Sequence, residues 1–245
     1  MRIDLNADLG EGCGDDEALL ERVSSINIAC GWHAGSPELM MGLVEAAHRR
    51  AIAIGAHPSF PDRANFGRVE MKLSPASIRS GVQYQVGALE AIARAQGARL
   101  SHVKPHGALY NQAARDPELA SCIARAVRDF DPQLKLVGLA GSALVEAARA
   151  EGLRALEEGF ADRGYTADGT LVPRGQPGAL IDDVEAMLAQ VISMLNEGIV
   201  RTWDGQACRL HVDTICLHGD GPHALVFASQ LRARLLQEGI EVAAC

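Results

Sequence analysis

From its first residues to its last, the chain alternates short apolar runs of four to seven residues with longer amphipathic stretches. No other feature restricts the fold as strongly. Strands are expected at 3–9, 26–30, 51–56, 100–104, 135–140, 155–159 and 214–217, with a last short one at 240–243. Between them the 3.6-residue period predicts helices over 15–23, 36–50, 74–96, 116–130, 142–151, 177–197 and 222–238. Ser36-Pro37, Ser74-Pro75 and Asp116-Pro117 each place an N-capping side chain before a proline suited to the first helical turn.

Strands that alternate with helices imply parallel pairing and right-handed crossovers. With 245 residues, no internal repeat and no linker, the chain reads as one domain over 1–245. Seven or eight strands suit a parallel (β/α) barrel, irregular or incompletely closed. A doubly wound open sheet is the alternative that periodicity leaves standing. An apolar share of 48% supplies the core, and with aromatics at 4% that core is built from Ala, Leu, Val and Ile.

Just past the apolar runs stand six clusters of polar side chains. They are Asp4, Asn6, Asp8 and Glu11; Asn27 and His33; His57, Ser59 and Asp62; Lys104, His106, Tyr110 and Asn111; Glu158, Asp162, Arg163 and Tyr165; and His218 with Asp220. Buried polar groups destabilise unless hydrogen-bonded. One arrangement unites them: parallel strands whose carboxyl ends share one mouth, where α/β enzymes keep their chemistry.

Within Ile3–Leu9 the polar set Asp4, Asn6 and Asp8 alternates with the apolar one and is expected to point into a barrel. Asp4 and Asn6 read as organisers of the strand, Asp8 and Glu11 as functional carboxylates for a base, a metal or an ammonium group. Four histidines, 33, 57, 106 and 218, follow four different strands. Imidazole there serves proton transfer or, with Asp8, a mononuclear metal site. No H-E-x-x-H occurs, so the residues alone leave the metal open. Lys104 is costly at a strand end unless paired, and suits a carboxylate or phosphate. Asp162, Arg163 and Tyr165 suit a small zwitterion.

The net charge of −8 argues against nucleic acid and anionic membrane. Six scattered cysteines without C-x-x-C spacing, and a start lacking an apolar h-region, set the expectation of a reduced, cytoplasmic protein with no membrane span. There is no P-loop and no G-x-S-x-G elbow.

Eight segments, read in order, carry a family resemblance: D-L-N-A-D-L-G-E-G at 4–12, N-I-A-C-G-W-H-A-G at 27–35, G-A-H-P-S-F-P-D at 55–62, F-G-R at 66–68, V-K-P-H-G-A-L-Y-N at 103–111, E-G-F-A-D-R-G-Y at 158–165, D-G-T-L-V-P-R at 168–174 and C-L-H-G-D at 216–220. The chain resembles the LamB/YcsF family, the A-type subunits of 5-oxoprolinase, nearly end to end. Ser36 and Val69 stand where that family typically has Asp and Arg. The resemblance implies a single-domain, seven-stranded, deacetylase-like barrel. It also implies hydrolytic opening of 5-oxo-L-proline to L-glutamate with ATP as co-substrate and with partner subunits B and C.

On that reading Asp8, Lys104, His106, His33 and His57 are the expected catalytic residues. Asn6, Glu11, Asn27, Tyr110, Asn111, Asp162, Arg163, His218 and Asp220 are expected to bind substrate, a divalent metal is allowed, and homo-oligomerisation is left open. Lys104→Ala or Asp8→Asn is expected to abolish glutamate formation with the fold intact. Two rival readings are a stand-alone metal-dependent amidohydrolase or deacetylase, and a non-catalytic substrate-binding subunit.

Overall fold

The computed structural model describes residues 1–12, 16–217 and 224–245. Its elements run β1 (Arg2–Leu9), α1 (Asp16–Leu20), β2 (Ser25–Ala29), α2 (Pro37–Arg49), β3 (Ala53–His57), α3 (Pro75–Ala95), β4 (Leu100–Val103), α4 (Gly107–Ala113), α5 (Pro117–Phe130), β5 (Lys135–Leu139), α6 (Ala143–Ala150), β6 (Ala155–Phe160), α7 (Val184–Glu197), β7 (Ile199–Arg201), β8 (Ala207–Arg209), β9 (Thr214–Leu217), α8 (Ala224–Gln237) and β10 (Glu241–Val242). Strands β1 to β6 pair in sequence order, and β9 pairs with both β6 and β1. All these ladders are parallel, so seven strands close into a barrel. The β1–β9 ladder, from Asp4↔Thr214 to Ala7↔Leu217, rules out the open sheet. β10 occupies the remaining edge of β1 at Arg2 and Ile3, before β9 begins.

The serine and aspartate caps act as their positions require. Ser36, Ser74 and Asp116 accept hydrogen bonds from the first-turn amides of α2, α3 and α5. Three features depart from expectation. α4 follows Lys104-Pro105-His106 at once, and the antiparallel hairpin β7–β8 precedes β9; both are too short for periodicity to register. α7 begins at Val184, not near Pro177, because Asp183 caps it and the preceding residues fold into a flap. Bridges Arg163↔Leu180 and Tyr165↔Leu171 hold that flap.

Alternate side chains on each strand face the barrel axis. Ile3, Leu5, Ala7 and Leu9 belong to the apolar core, while Asp4, Asn6 and Asp8 meet partners from other strands inside. Asp4 accepts hydrogen bonds from Ser24 and Ser25 at 2.7 Å and from Thr214 at 2.6 Å. Above it Asn6 Nδ2 donates to Thr214 at 2.7 Å and to Glu158 at 3.0 Å. Barrels of this kind usually fill the axis with branched apolar side chains. A polar axis stands here because its members satisfy one another, which removes most of the burial penalty.

His102 fits this axis because β3 has glycine opposite it. A Cβ on Gly55 would lie 2.1 Å from His102 Nε2, the atom that meets Asn27 Oδ1 at 2.8 Å. Gly55→Ala is therefore expected to lower stability by at least the overpacking range of about 1–3 kcal/mol. Denaturant unfolding measures this, and an unchanged midpoint would refute the packing argument.

Candidate active site

At the carboxyl end of the barrel the axis widens into a charged layer. Asp8 Oδ1 accepts from Asn27 Nδ2 at 2.8 Å and from Lys104 Nζ at 3.0 Å. Lys104, 2% exposed, also meets Glu158 Oε1 at 2.8 Å, the Cys216 sulfur at 3.1 Å and Asn6 Oδ1 at 3.2 Å. Burial opposes its charge, but Asp8, Cys216 and Glu158 raise the Lys104 pKa well above the usual lysine value. Tyr110 donates its hydroxyl proton to Glu158 Oε2 at 2.7 Å. Burial, reinforced by Glu158, raises that phenol well above its ordinary range.

Over this layer lie Glu11, His33, His57 and His106, whose ligand-type atoms all fall within 4.8 Å of one another. Glu11 Oε1 stands 3.0 Å from His33 Nε2, 3.1 Å from His106 Nδ1 and 3.7 Å from His57 Nε2. Backbone carbonyls fix two of the rings. His57 Nδ1 donates to Lys104 O at 2.7 Å, and His106 Nε2 donates to Phe66 O at 2.9 Å. Phe66 reaches that position in the left-handed region, at φ 58°, a strained setting of the kind that collects at functional sites. The remaining nitrogens, His57 Nε2 and His106 Nδ1, face each other at 3.0 Å. Both would present lone pairs toward each other and toward the Glu11 oxygen, so a positive charge must sit among them: a proton or a metal cation.

The electrostatics follow from the same packing. Burial pulls His33 down to about 4 against the hydrogen bond to Glu11, and burial likewise lowers His106. His57 is raised, because Asp8 and Glu11 outweigh its burial. Partial burial opposes the charge of Glu11, yet its hydrogen bonds with His106 and His33 hold its carboxyl far below the carboxylate range. Three nitrogens, one carboxylate and carbonyl-oriented rings fit a borderline cation such as zinc better than Mg²⁺ or Ca²⁺, which prefer oxygen.

This cluster borders a cavity of about 570 Å³, well within the range of small-molecule sites. Asp8, Glu11, His57, Lys104, His106, Tyr110, Asn111 and Arg163 line it. Asn6 and Asn27 lie deeper, 2% and 0% exposed, and hold Asp8 and Lys104 from below. Asn111 reaches the wall with its amide on Gly107 O. Arg163 turns its guanidinium into the flap, donating to Ala179 O at 2.9 Å and Val172 O at 2.7 Å, while flap residues 166 and 168–174 except Gly169 line the cavity. Asp162 takes part through the flap backbone, its carbonyl accepting from Ile181 N. His218 and Asp220 lie outside the described residues.

Two axial groups fall outside the residues expected to act: Glu158, which marks a strand-end cluster without a role of its own, and His102. Extending the period-2 reading of β1 to β4 and β6 finds both, since 102 and 104, like 158 and 160, share a face.

These features define a deacetylase-like barrel. A family 4 carbohydrate esterase from Streptomyces lividans shares the fold at TM-score 0.50 with 13% identity, over 99% of this chain and 92% of that one. A peptidoglycan deacetylase, PdaC from Bacillus subtilis, does so at 0.50 and 11%, over 99% and 86%. The lactam utilization protein from Thermus thermophilus is far nearer, 46% identical at TM-score 0.93 with both chains fully covered. The chain belongs to the LamB/YcsF family, whose model matches residues 3–245. Among the described residues no helix is long and apolar enough to cross a membrane.

Proposed function

We propose that this protein is the A-type subunit of a 5-oxoprolinase, opening 5-oxo-L-proline to L-glutamate with ATP and two partner subunits, B and C. The observation that carries this reading is the convergence of Glu11, His33, His57 and His106 within 4.8 Å of one another, with Glu11, His57 and His106 lining one cavity beside Asp8. Family membership and the 46% identity to a lactam utilization protein supply the substrate class.

A five-membered lactam is a resonance-stabilised amide, so its hydrolysis needs a polarised carbonyl, an activated water and a protonated leaving nitrogen. Phosphoryl transfer from ATP to the lactam oxygen, with the partner subunits, would release ADP and make that carbon a better electrophile. Water addition and C–N cleavage would leave an acyl phosphate, which a second water would hydrolyse to glutamate and inorganic phosphate. A zinc-class ion held by Glu11, His33, His57 and His106 would supply Lewis acidity and lower the pKa of water. Asp8, whose Oδ2 faces His57 at 3.4 Å, is placed to take the water's proton as general base. Lys104 keeps Asp8 ionised and oriented; with its ammonium surrounded by Asp8, Glu158, Asn6 and Cys216, it supports the site from below the substrate. Arg163 likewise stiffens the flap that covers the cavity. Tyr110 and Asn111 form the wall against which the ring would lie.

The test is coupled release of ADP and glutamate, by this chain alone and with subunits B and C. Glutamate is expected only with ATP and all three subunits. No glutamate from the complete mixture would overturn the reading. A second reading, a stand-alone metal-dependent amidohydrolase, draws on the same His/Glu cluster through its metal-type donor set. ATP-independent hydrolysis by the zinc-loaded chain alone would select it.

A further inference from the structure

The barrel interior holds a third charge that the reaction above does not use. Glu158 is fully buried, and both its oxygens are engaged. Oε1 meets Lys104 Nζ at 2.8 Å and Asn6 Nδ2 at 3.0 Å, and Oε2 accepts from Tyr110 at 2.7 Å. Burying an acid–lysine–acid trio is a poor way to stabilise a fold, since apolar side chains of similar shape often do as well or better. Its geometry indicates another use. Lys104 touches the site twice: its ammonium holds Asp8 Oδ1, and its carbonyl accepts the His57 Nδ1 proton. Whatever fixes the Lys104 side chain therefore fixes the Asp8 carboxylate, and through Asp8 Oδ2, 3.4 Å from His57 Nε2, it bears on a ring that the Lys104 main chain already holds at Nδ1. Asp8 pulls on the ammonium from one strand, and Glu158 on β6 pulls from another.

We propose that Glu158 is a positioning residue for this site, a counter-anchor that holds Lys104 so that Asp8 and His57 keep their mutual geometry. The inference rests on the hydrolytic reading only for its kinetic consequence; its structural consequence stands apart. Tyr110 completes the brace by fixing the Glu158 carboxylate from the cavity wall.

Glu158→Gln is nearly isosteric, and its amide oxygen can still accept from Lys104 while the ion pair is lost. With all three subunits present, the variant is expected to keep KM for 5-oxo-L-proline within about twofold of wild type. Its kcat is expected to fall about a hundredfold, the loss typical of a misplacement of about 1 Å. Glu158→Asp, which keeps the charge, should recover part of that loss. A folded Glu158→Gln protein with unchanged kcat, or with the whole loss in KM, overturns the proposal.

The His57 Nδ1 proton, observed by NMR in the purified chain, gives a readout independent of turnover. It should shift or exchange faster in Glu158→Gln, and less so in Glu158→Asp. An unchanged resonance overturns the proposal even if the wild type hydrolyses lactam. A changed one supports it even if no lactam is hydrolysed, in which case the functional reading alone falls. Should Glu158→Gln not fold, Glu158→Asp decides by the same two measurements: wild-type kcat and resonance would refute the brace.

Discussion

Lys104→Met is expected to destabilise the protein by about 3–5 kcal/mol, the range for breaking a buried ion pair by removing one partner. The side chain is 2% exposed and its ammonium lies within 3.2 Å of Asp8, Glu158 and Asn6. Methionine fills much of the volume but leaves Asp8 and Glu158 facing each other inside the barrel with no positive charge between them. Against a net stability of about 5–15 kcal/mol for a typical domain, that loss brings the variant close to unfolding. This revises the expectation, drawn from the motif, that substituting Lys104 removes activity and spares the fold. Asp8→Asn keeps the expected pattern, since an amide oxygen can still accept from Lys104 and Asn27. Urea unfolding of Lys104→Met beside the triple variant Lys104→Met, Asp8→Asn, Glu158→Gln checks the cause. The triple variant should regain most of the stability. A Lys104→Met midpoint equal to wild type would show that the buried charges do not depend on it.

The barrel was legible in the sequence because each strand–helix unit announces itself locally, through apolar runs and Ser-Pro or Asp-Pro starts. Closure was not, since β9 returns to β1 across some two hundred residues, from Thr214 to Asp4, and no local pattern encodes that pairing. Polar residues at strand ends converge in space: Asp8, Glu11, His57, Lys104 and His106 line one cavity. What strand-end position could not convey is depth. Asn6, two positions before Asp8, and Asn27, paired with Asp8 across β1 and β2, look like site residues, yet their side chains are buried and meet Asp8, Lys104 and each other. Arg163 looked like a ligand grip because a charged residue in a glycine-flanked loop ordinarily faces solvent. Here the flap folds back, and its carbonyls take the guanidinium. Phe66 shows the same limit from the other side: an apolar residue contributes to the site through a carbonyl, which no side-chain pattern reveals.

Zinc is expected to bind the chain at one ion per molecule and to raise its melting temperature, whereas magnesium at equal concentration leaves it unchanged. The argument is one of converging lone pairs. With His57 Nδ1 and His106 Nε2 committed as donors to carbonyls, the opposite nitrogens must present acceptors toward each other at 3.0 Å and toward Glu11. A cation seated there removes that repulsion, and two of the rings are already oriented by carbonyl partners of the kind that support metal ligands. The three-nitrogen, one-oxygen donor set selects a borderline metal, and magnesium finds too few oxygens. At a metal concentration about a hundredfold above Kd, linkage raises stability by about 2.7 kcal/mol, a shift readily seen in a thermal melt. Glu11→Gln and His57→Ala should each erase most of that increment and lower the zinc retained after dialysis, as read by elemental mass spectrometry. Asn111→Ala, a change on the cavity wall outside the cluster, should retain both. If zinc stabilises wild type and His57→Ala alike, the ion binds elsewhere and the cluster is closed by a proton on His57.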